Sequence, residues 1–354
     1  MNRIISTSNR FPLTNIQKAY FMGRNSNFEF GGIPTYVYYE FKTNLKYKDF
    51  ERSLNNLICN QPMLRANIVS IQEQTIVDTQ NFPYYKVPYY DISNLDAKQQ
   101  QTQILEIREK TYNQILNKKD MFLFSVAQMD NDTTYIFCYV DMLVADAFSL
   151  GILLDELKNG CNINDTVNVL ENDFYKYVEL KENKKNTKRY LKDKEYWLNR
   201  LDDIPNSPNI PIKNVSDDYI PKTKRISINL DISKWENIKR ISKIKNVPPT
   251  TVILTAYSMV LGFWSNQDRF TINMPISDRP IGKKSSELDM SKVIGDFTSV
   301  MLIEVDNITV EKSNFWQYAE LIKNSILKSF KHRLFDGTEI MREIQYPLQG
   351  LCFH

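Results

Sequence analysis

Histidine is almost missing from this chain: 354 residues contain two, His332 and His354, and the second is the terminal residue. A catalytic triad built on imidazole and a histidine-rich metal site are both excluded by that scarcity. The cysteines are Cys59, Cys138, Cys161 and Cys352, none in a CxxC pair, and the first twenty residues lack the charged and apolar regions of a secretory leader. Free thiols in a reducing cytoplasm are therefore expected. No run of 18 apolar residues exists, so no membrane-spanning helix and no membrane partner are expected. Neither sign of charge dominates, with 45 basic and 42 acidic side chains and a net charge of +3. There is no basic stripe of the kind nucleic acids require, and "KENKKNTKR" (Lys181 to Arg189) is a solvated helix face or loop. Dinucleotide, P-loop, zinc and GxSxG spacings are absent as well.

What is present is a globular composition, 42% hydrophobic and 25% charged. The length suits two domain-sized lobes better than one core. "FPLTNIQKAYFMGR" reads as a helix capped by Thr14 and stopped at Gly23. "TYVYYEFK" is rich in β-formers, and "KYKDFERSLNNLICN" places Phe50, Leu54, Leu57 and Ile58 on one helical face before Pro62 breaks it. "DAKQQQTQILEIREKTYNQIL" predicts a long helix, and "FLFSVAQMD" with "TTYIFCYV" a hairpin about residues 130–132. The second half repeats the inventory. Helices are predicted at "FYKYVELKE", "RYLKDKEYWLNRL", "DISKWENIKRISKIKN", "PPTTVILTAYSMVLGFWS" and "NFWQYAELIKNSILKSFKH". Strands are predicted at "TKRISINL", "RFTINMPIS" and "GDFTSVMLIEVD". Two similar α/β lobes follow, divided as 1–170 and 171–354.

One passage breaks the pattern. In "YVDMLVADAFSL" two carboxylates, Asp141 and Asp146, and a hydroxyl, Ser149, interrupt a run that otherwise reads as core. One reading is a strand-to-helix turn in which Ser149 or Asp146 caps the next helix. The other is that Asp141 leaves a buried strand to project a carboxylate into a cleft, where it takes a proton or orients a nucleophile. "GDFTS" likewise reads as a turn entering a strand, with Gly295 and Asp296 chosen for turn geometry.

Taken in order, "FPLTNIQKAYFMGR", "QPMLRA", "DMLVADAFS", "TTVILTAYSMVLGFWS", "TINMPISDRP" and "IGDFTSVMLIEVD" resemble the motif series of heterocyclization domains. These belong to the condensation-domain superfamily of nonribosomal peptide synthetases. Ordinary condensation domains carry HHxxxDG where this chain has the DxxxxDxxS pattern. Asp141 matches the first His, Asp146 the Asp, and Met142 stands at the position of that family's base. The resemblance implies an α/β fold of two chloramphenicol-acetyltransferase-like lobes, a V-shaped pseudo-dimer with a tunnel between them. It implies an enzyme that joins a carrier-bound acyl thioester to the amine of carrier-bound cysteine, serine or threonine, then closes a thiazoline or oxazoline ring with loss of water. No cofactor is bound directly; the reactants arrive on the 4'-phosphopantetheine arms of upstream and downstream peptidyl carrier proteins, beside other synthetase modules. Asp141, Asp146 and Ser149 are the implied catalytic set. Met142, Asp296 and Thr298 are the implied lining of the tunnel, and Arg65 is the implied structural partner of Asp146.

Past "EVD" the resemblance stops. The family's late PVVFTS and SQTPQVWLD segments, whose Thr and Asp serve cyclodehydration, have no counterpart, and "YPLQGLCFH" reads as a loose tail. The second lobe is therefore expected to be incomplete, with apolar surface or bare edge over Phe297 to Val305 and a linear amide as product. Two other readings remain open: an inactive module that only docks carrier proteins, and an acyltransferase of the same fold using a small free acceptor.

Overall fold

The computed structural model describes residues 10–25, 31–116, 120–159, 173–212, 226–282, 288–306 and 314–344. The chain divides into two compact units. The first takes Met1–Asn183 together with Ser277–Thr298, and the second takes Lys184–Ile276 with Ser299–His354. The first unit thus runs past residue 170 and also recovers a stretch from the second half of the sequence.

In the first unit β1 (Arg10–Phe11) leads into α1 (Asn15–Gly23). Thr14 caps that helix through the Gln17 N–H, and the Gln17 side chain returns a bond from the Thr14 N–H at 2.9 Å, a complete capping box. Then come β2 (Tyr36–Thr43), α2 (Tyr47–Asn60), β3 (Ala66–Ser70), β4 (Glu73–Ile76), β5 (Tyr89–Asp91), α3 (Ala97–Leu116), β6 (Phe122–Gln128), β7 (Thr134–Asp141), α4 (Ala147–Asn159) and α5 (Phe174–Lys184). One sheet has the order β2-β7-β6-β5, and a smaller one the order β1-β4-β3. β2 lies antiparallel to β7, with Tyr36 opposite Asp141 and Thr43 opposite Thr134, and β6 is the other side of the expected hairpin. β7 is buried along almost its whole length because sheet neighbours flank both its edges and helices cover it. The predicted inward face of α2 is correct: Phe50, Leu54, Leu57 and Ile58 are all buried.

The second unit contains α6 (Lys188–Leu198), α7 (Ile232–Ile244), α8 (Pro249–Ser265), β8 (Arg269–Ser277), β9 (Thr298–Asp306), α9 (Phe315–Lys331) and α10 (Gly337–Glu343), the two strands crossing the unit limits by one residue each. β8 and β9 form a two-stranded sheet. Its core joins Leu261, Phe270, Val305, Tyr318 and Ile322, and a second cluster gathers Trp197, Leu302, Phe335 and Ile340.

One expectation for this half fails and another holds in part. "TKRISINL" forms no strand over its described part: residues 226–230 have no ladder partners, and Ile228 is 91% exposed. Phe297 to Val305 does not present apolar surface, since Phe297, Val300, Met301, Leu302, Ile303 and Val305 are buried, but among the described residues β9 pairs with β8 alone and its other edge carries no strand. A group of exposed apolar side chains lies on α8, at Ile253, Tyr257, Val260, Phe263 and Trp264. Residues 345–354, with the expected loose tail, lie outside the described residues, as do Cys161 and Cys352; Cys59 and Cys138 are free thiols.

Candidate active site

Asp141 is the last residue of β7 and exposes none of its surface. Its Oδ1 accepts the Leu143 N–H at 2.9 Å, which tightens the chain into a turn as it leaves the sheet. Its Oδ2 accepts the Tyr139 hydroxyl at 3.0 Å and forms an ion pair with Arg24. Burial pushes the Asp141 carboxyl upward, while Arg24 and these hydrogen bonds pull it back. The reading of Asp141 as a carboxylate projected into a cleft meets a side chain with three partners.

One of those partners, Arg24, comes from the opening motif. Gln17, Tyr20 and Arg24 lie three and four residues apart, on one face of α1 and its end. Gln17 donates to the Leu143 carbonyl at 2.6 Å, inside the same turn. The Tyr20 hydroxyl is held well above its ordinary range by burial and by the negative charges of Asp296, Asp146 and Asp141, in that order. One phenol therefore faces all three aspartates. "FPLTNIQKAYFMGR" and "DMLVADAFS" carry the motif resemblance separately in the sequence and meet here as neighbours.

Asp146 caps α4 and does more. Its Oδ1 accepts the Ser149 N–H at 2.7 Å, so Asp146 rather than Ser149 is the cap. Ser149 turns its hydroxyl to the other side, donating to the Gly295 carbonyl at 2.8 Å and accepting the Gly295 N–H at 3.0 Å. The Asp146 N–H also donates to the Gly295 carbonyl, at 3.0 Å, and Asp146 Oδ2 accepts the Phe297 N–H at 3.2 Å. Four hydrogen bonds thus fasten the Gly-Asp-Phe backbone to the DxxxxDxxS turn.

The ion-pair partner of Asp146 is Arg279, not Arg65. Arg279 reaches Asp146 Oδ1 at 2.8 Å and Ser149 Oγ at 2.6 Å, and its other terminal nitrogen donates to the Met290 and Val293 carbonyls. Its guanidinium lies 3.9 Å from the centre of the Phe297 ring. Arg65 is buried and serves another purpose: it donates to the carbonyls of Ile58, Cys59 and Val77, tying the end of α2 to the chain just past β4. Sequence reasoning quoted "TINMPISDRP" without choosing its arginine. The signal lay in the need of a second buried aspartate for a second cation, and nothing in the linear order says which arginine answers it.

Met142 is half-buried in the turn, its N–H donating to the Thr35 carbonyl at 2.9 Å. Asp296 exposes no surface; Thr298, half-buried at the start of β9, gives its N–H to Asp296 Oδ1 at 3.1 Å. Burial, with Asp146 adding to it, pushes the Asp296 carboxyl up to about 7. Gly295 is required by space rather than by turn geometry: a Cβ there would stand 2.3 Å from the Phe174 ring. His332 plays no part in this constellation. It stacks on Tyr196 with ring centres 3.7 Å apart and lies 3.3 Å from Asp193 in the second unit.

The fold that carries this turn is shared with solved synthetase structures. The cyclization-docking bidomain EpoB from Sorangium cellulosum superposes with a TM-score of 0.79 at 24% identity, over 95% of this chain and 67% of that one. The first condensation domain of the calcium-dependent antibiotic synthetase gives 0.73 at 14%, over 96% and 79%. The family profile described as Condensation domain matches residues 7–349, and the chain belongs to that family. Among curated relatives, bacitracin synthase 1 of Bacillus licheniformis is 33% identical over 94% of this chain and 6% of its own length. Pyochelin synthetase PchF of Pseudomonas aeruginosa is 26% identical over 95% and 18%. The phenyloxazoline synthase MbtB of Mycobacterium tuberculosis is 22% identical over 94% and 23%. The chain thus spans less than a third of each of these synthetases.

Proposed function

We propose that this chain is a condensation domain of the heterocyclization type, acting in the cytoplasm within a peptide synthetase. The observation that carries the reading is the turn itself. DxxxxDxxS replaces the histidine pair of amide-forming relatives, and each of its aspartates is matched by an arginine from another motif of the same series, Arg24 for Asp141 and Arg279 for Asp146. Relatives whose names speak of an oxazoline ring, and a structure called a cyclization bidomain, support the same class.

The chemistry asks little of a base. A free amine is already nucleophilic, and holding it against a thioester removes most of the entropic barrier; well-oriented reactants gain roughly 7–11 kcal/mol in this way. The donor acyl group and the acceptor cysteine, serine or threonine are delivered on the phosphopantetheine arms of two carrier proteins. The amine attacks the thioester carbonyl, the donor thiol leaves with a proton, and the acceptor side chain then adds to the new amide carbonyl before water is lost. Asp146 and Ser149 serve this by fixing the 294–298 backbone. Asp141 holds the turn through Arg24, Tyr139 and the Leu143 N–H.

The test is mass spectrometry of the acceptor carrier after mixing the chain with an acyl-loaded donor carrier and cysteinyl, seryl or threonyl acceptor carriers. Acyl transfer to the acceptor is expected, with one further water lost where a ring closes. Binding of both carriers without any acyl transfer would instead establish a docking module.

A further inference from the structure

We propose that Asp296 is held as a neutral carboxylic acid and acts as a pH-operated latch on the 294–298 loop, tight while the proton is kept and weakened once it is lost. Asp141, Asp146 and Asp296 are each almost wholly excluded from water. Arg24 answers Asp141 and Arg279 answers Asp146. Arg279 directs its terminal nitrogens to Asp146, Ser149 and two backbone carbonyls. The third carboxyl has no cation bonded to it, and its Oδ2 has no hydrogen-bond partner among the described residues. A buried carboxylate in that position would carry an uncompensated charge, and burial resolves such a case by retaining the proton.

The groups that face Asp296 agree. Tyr20 of α1 and Tyr177 of α5 are both held protonated far above their ordinary range, and each feels the Asp296 charge. Asp146, across the loop, opposes ionisation; Lys181 of α5 favours it but stands in a salt bridge with Asp278 at 3.2 Å. Arg279, on the same segment, favours it too, yet is engaged as described. Hydrogen bonds from the Thr298 side chain and N–H also favour ionisation; burial, the largest effect, together with Asp146 outweighs them and pushes the carboxyl up to about 7.

The consequence is mechanical. Asp296 sits between Gly295 and Phe297, whose backbone groups make the four hydrogen bonds to Asp146 and Ser149. An ionised Asp296 sets a second negative charge against Asp146 across those bonds. The closed loop binds the proton more tightly than an opened, hydrated one, in which the carboxyl returns to an ordinary value of about 3.9. Opening therefore becomes easier as pH rises through the interval between that value and about 7, and levels off above it.

The inference does not depend on the amide-forming reading, and its readouts do not use activity. Hydrogen exchange of the peptide covering 294–298 is followed in the intact chain and in Asp296→Asn, from about pH 4 to about pH 8. Infrared difference spectra between the two proteins report the protonated carboxyl. Expected is an increase in loop opening of up to about tenfold per pH unit in the wild type, after division by intrinsic exchange rates, with no such slope in Asp296→Asn. A protonated-carboxyl band should be present in the wild type, absent in the variant, and lost as pH passes about 7. Equal slopes in the two proteins, or no band that titrates near that midpoint, would overturn the proposal. Should the asparagine variant not fold, the wild-type band alone decides.

Discussion

Removing a buried carboxylate leaves its guanidinium partner in a place that water does not reach, and the cost identifies the partner. Asp146 and Arg279 are both shielded, so loss of either is expected to destabilise the first unit by about 3–5 kcal/mol, measured by denaturant unfolding. A double-mutant cycle on Asp146→Asn and Arg279→Met should return a coupling of about 0.5–3 kcal/mol, whereas Asp146→Asn with Arg65→Met should be additive. Coupling to Arg65 and none to Arg279 would refute the pairing seen here. Asp141→Asn is expected to lower melting temperature together with product formation, because the carboxylate holds Arg24, Tyr139 and the Leu143 N–H. Activity lost at unchanged stability would return Asp141 to a chemical role. At Gly295 the constraint is steric. Gly295→Ala should cost about 1–3 kcal/mol through collision with Phe174, and Phe174→Leu should recover part of it.

Helix and strand boundaries show which local signals are self-sufficient. α1 follows from Thr14, Gln17 and an apolar face, all within a few residues, and Thr14→Ala should weaken it by about 1 kcal/mol in thermal unfolding. α10 carried an equally local signal that went unread: Asp336 accepts from Thr338 and Glu339, and Glu339 returns the bond to the Asp336 N–H at 3.2 Å. The stretch 226–230 failed for the opposite reason. Ile226, Ile228 and Leu230 alternate as a strand should, but a strand exists only where a neighbour accepts its ladder, and none does among the described residues.

At the scale of the whole molecule the notable feature is an apolar face on α8, where Phe263 is 81% and Trp264 60% exposed alongside Ile253, Tyr257 and Val260. Contiguous apolar surface of this kind promotes association. The purified chain is expected to self-associate as concentration rises in sedimentation velocity, and the double substitution Phe263→Lys with Trp264→Lys should suppress it. Unchanged association in that variant would place the contact elsewhere. No single described helix is long and apolar enough to cross a membrane.

The sequence by itself determined most of the helices, the Thr14 cap of α1, the hairpin of β6 and β7, the inward face of α2 and, through six ordered motifs, the family. Each of these rests on neighbours within a turn of helix, on a two-residue alternation, or on a pattern of residue types. It also marked Asp141, Asp146 and Ser149 as residues out of place in a core, and Asp296 as a turn residue. Only the tertiary structure decided what each one does. Asp146 meets Arg279 from 133 residues away, Ser149 clasps Gly295 across 146, and Arg24 reaches Asp141 across 117. An ion pair is fixed by distance and burial, and many arginines satisfy the same formal charge. Folding brings one of them within reach and shuts water out around it, which leaves Asp296 as the carboxyl that keeps its proton.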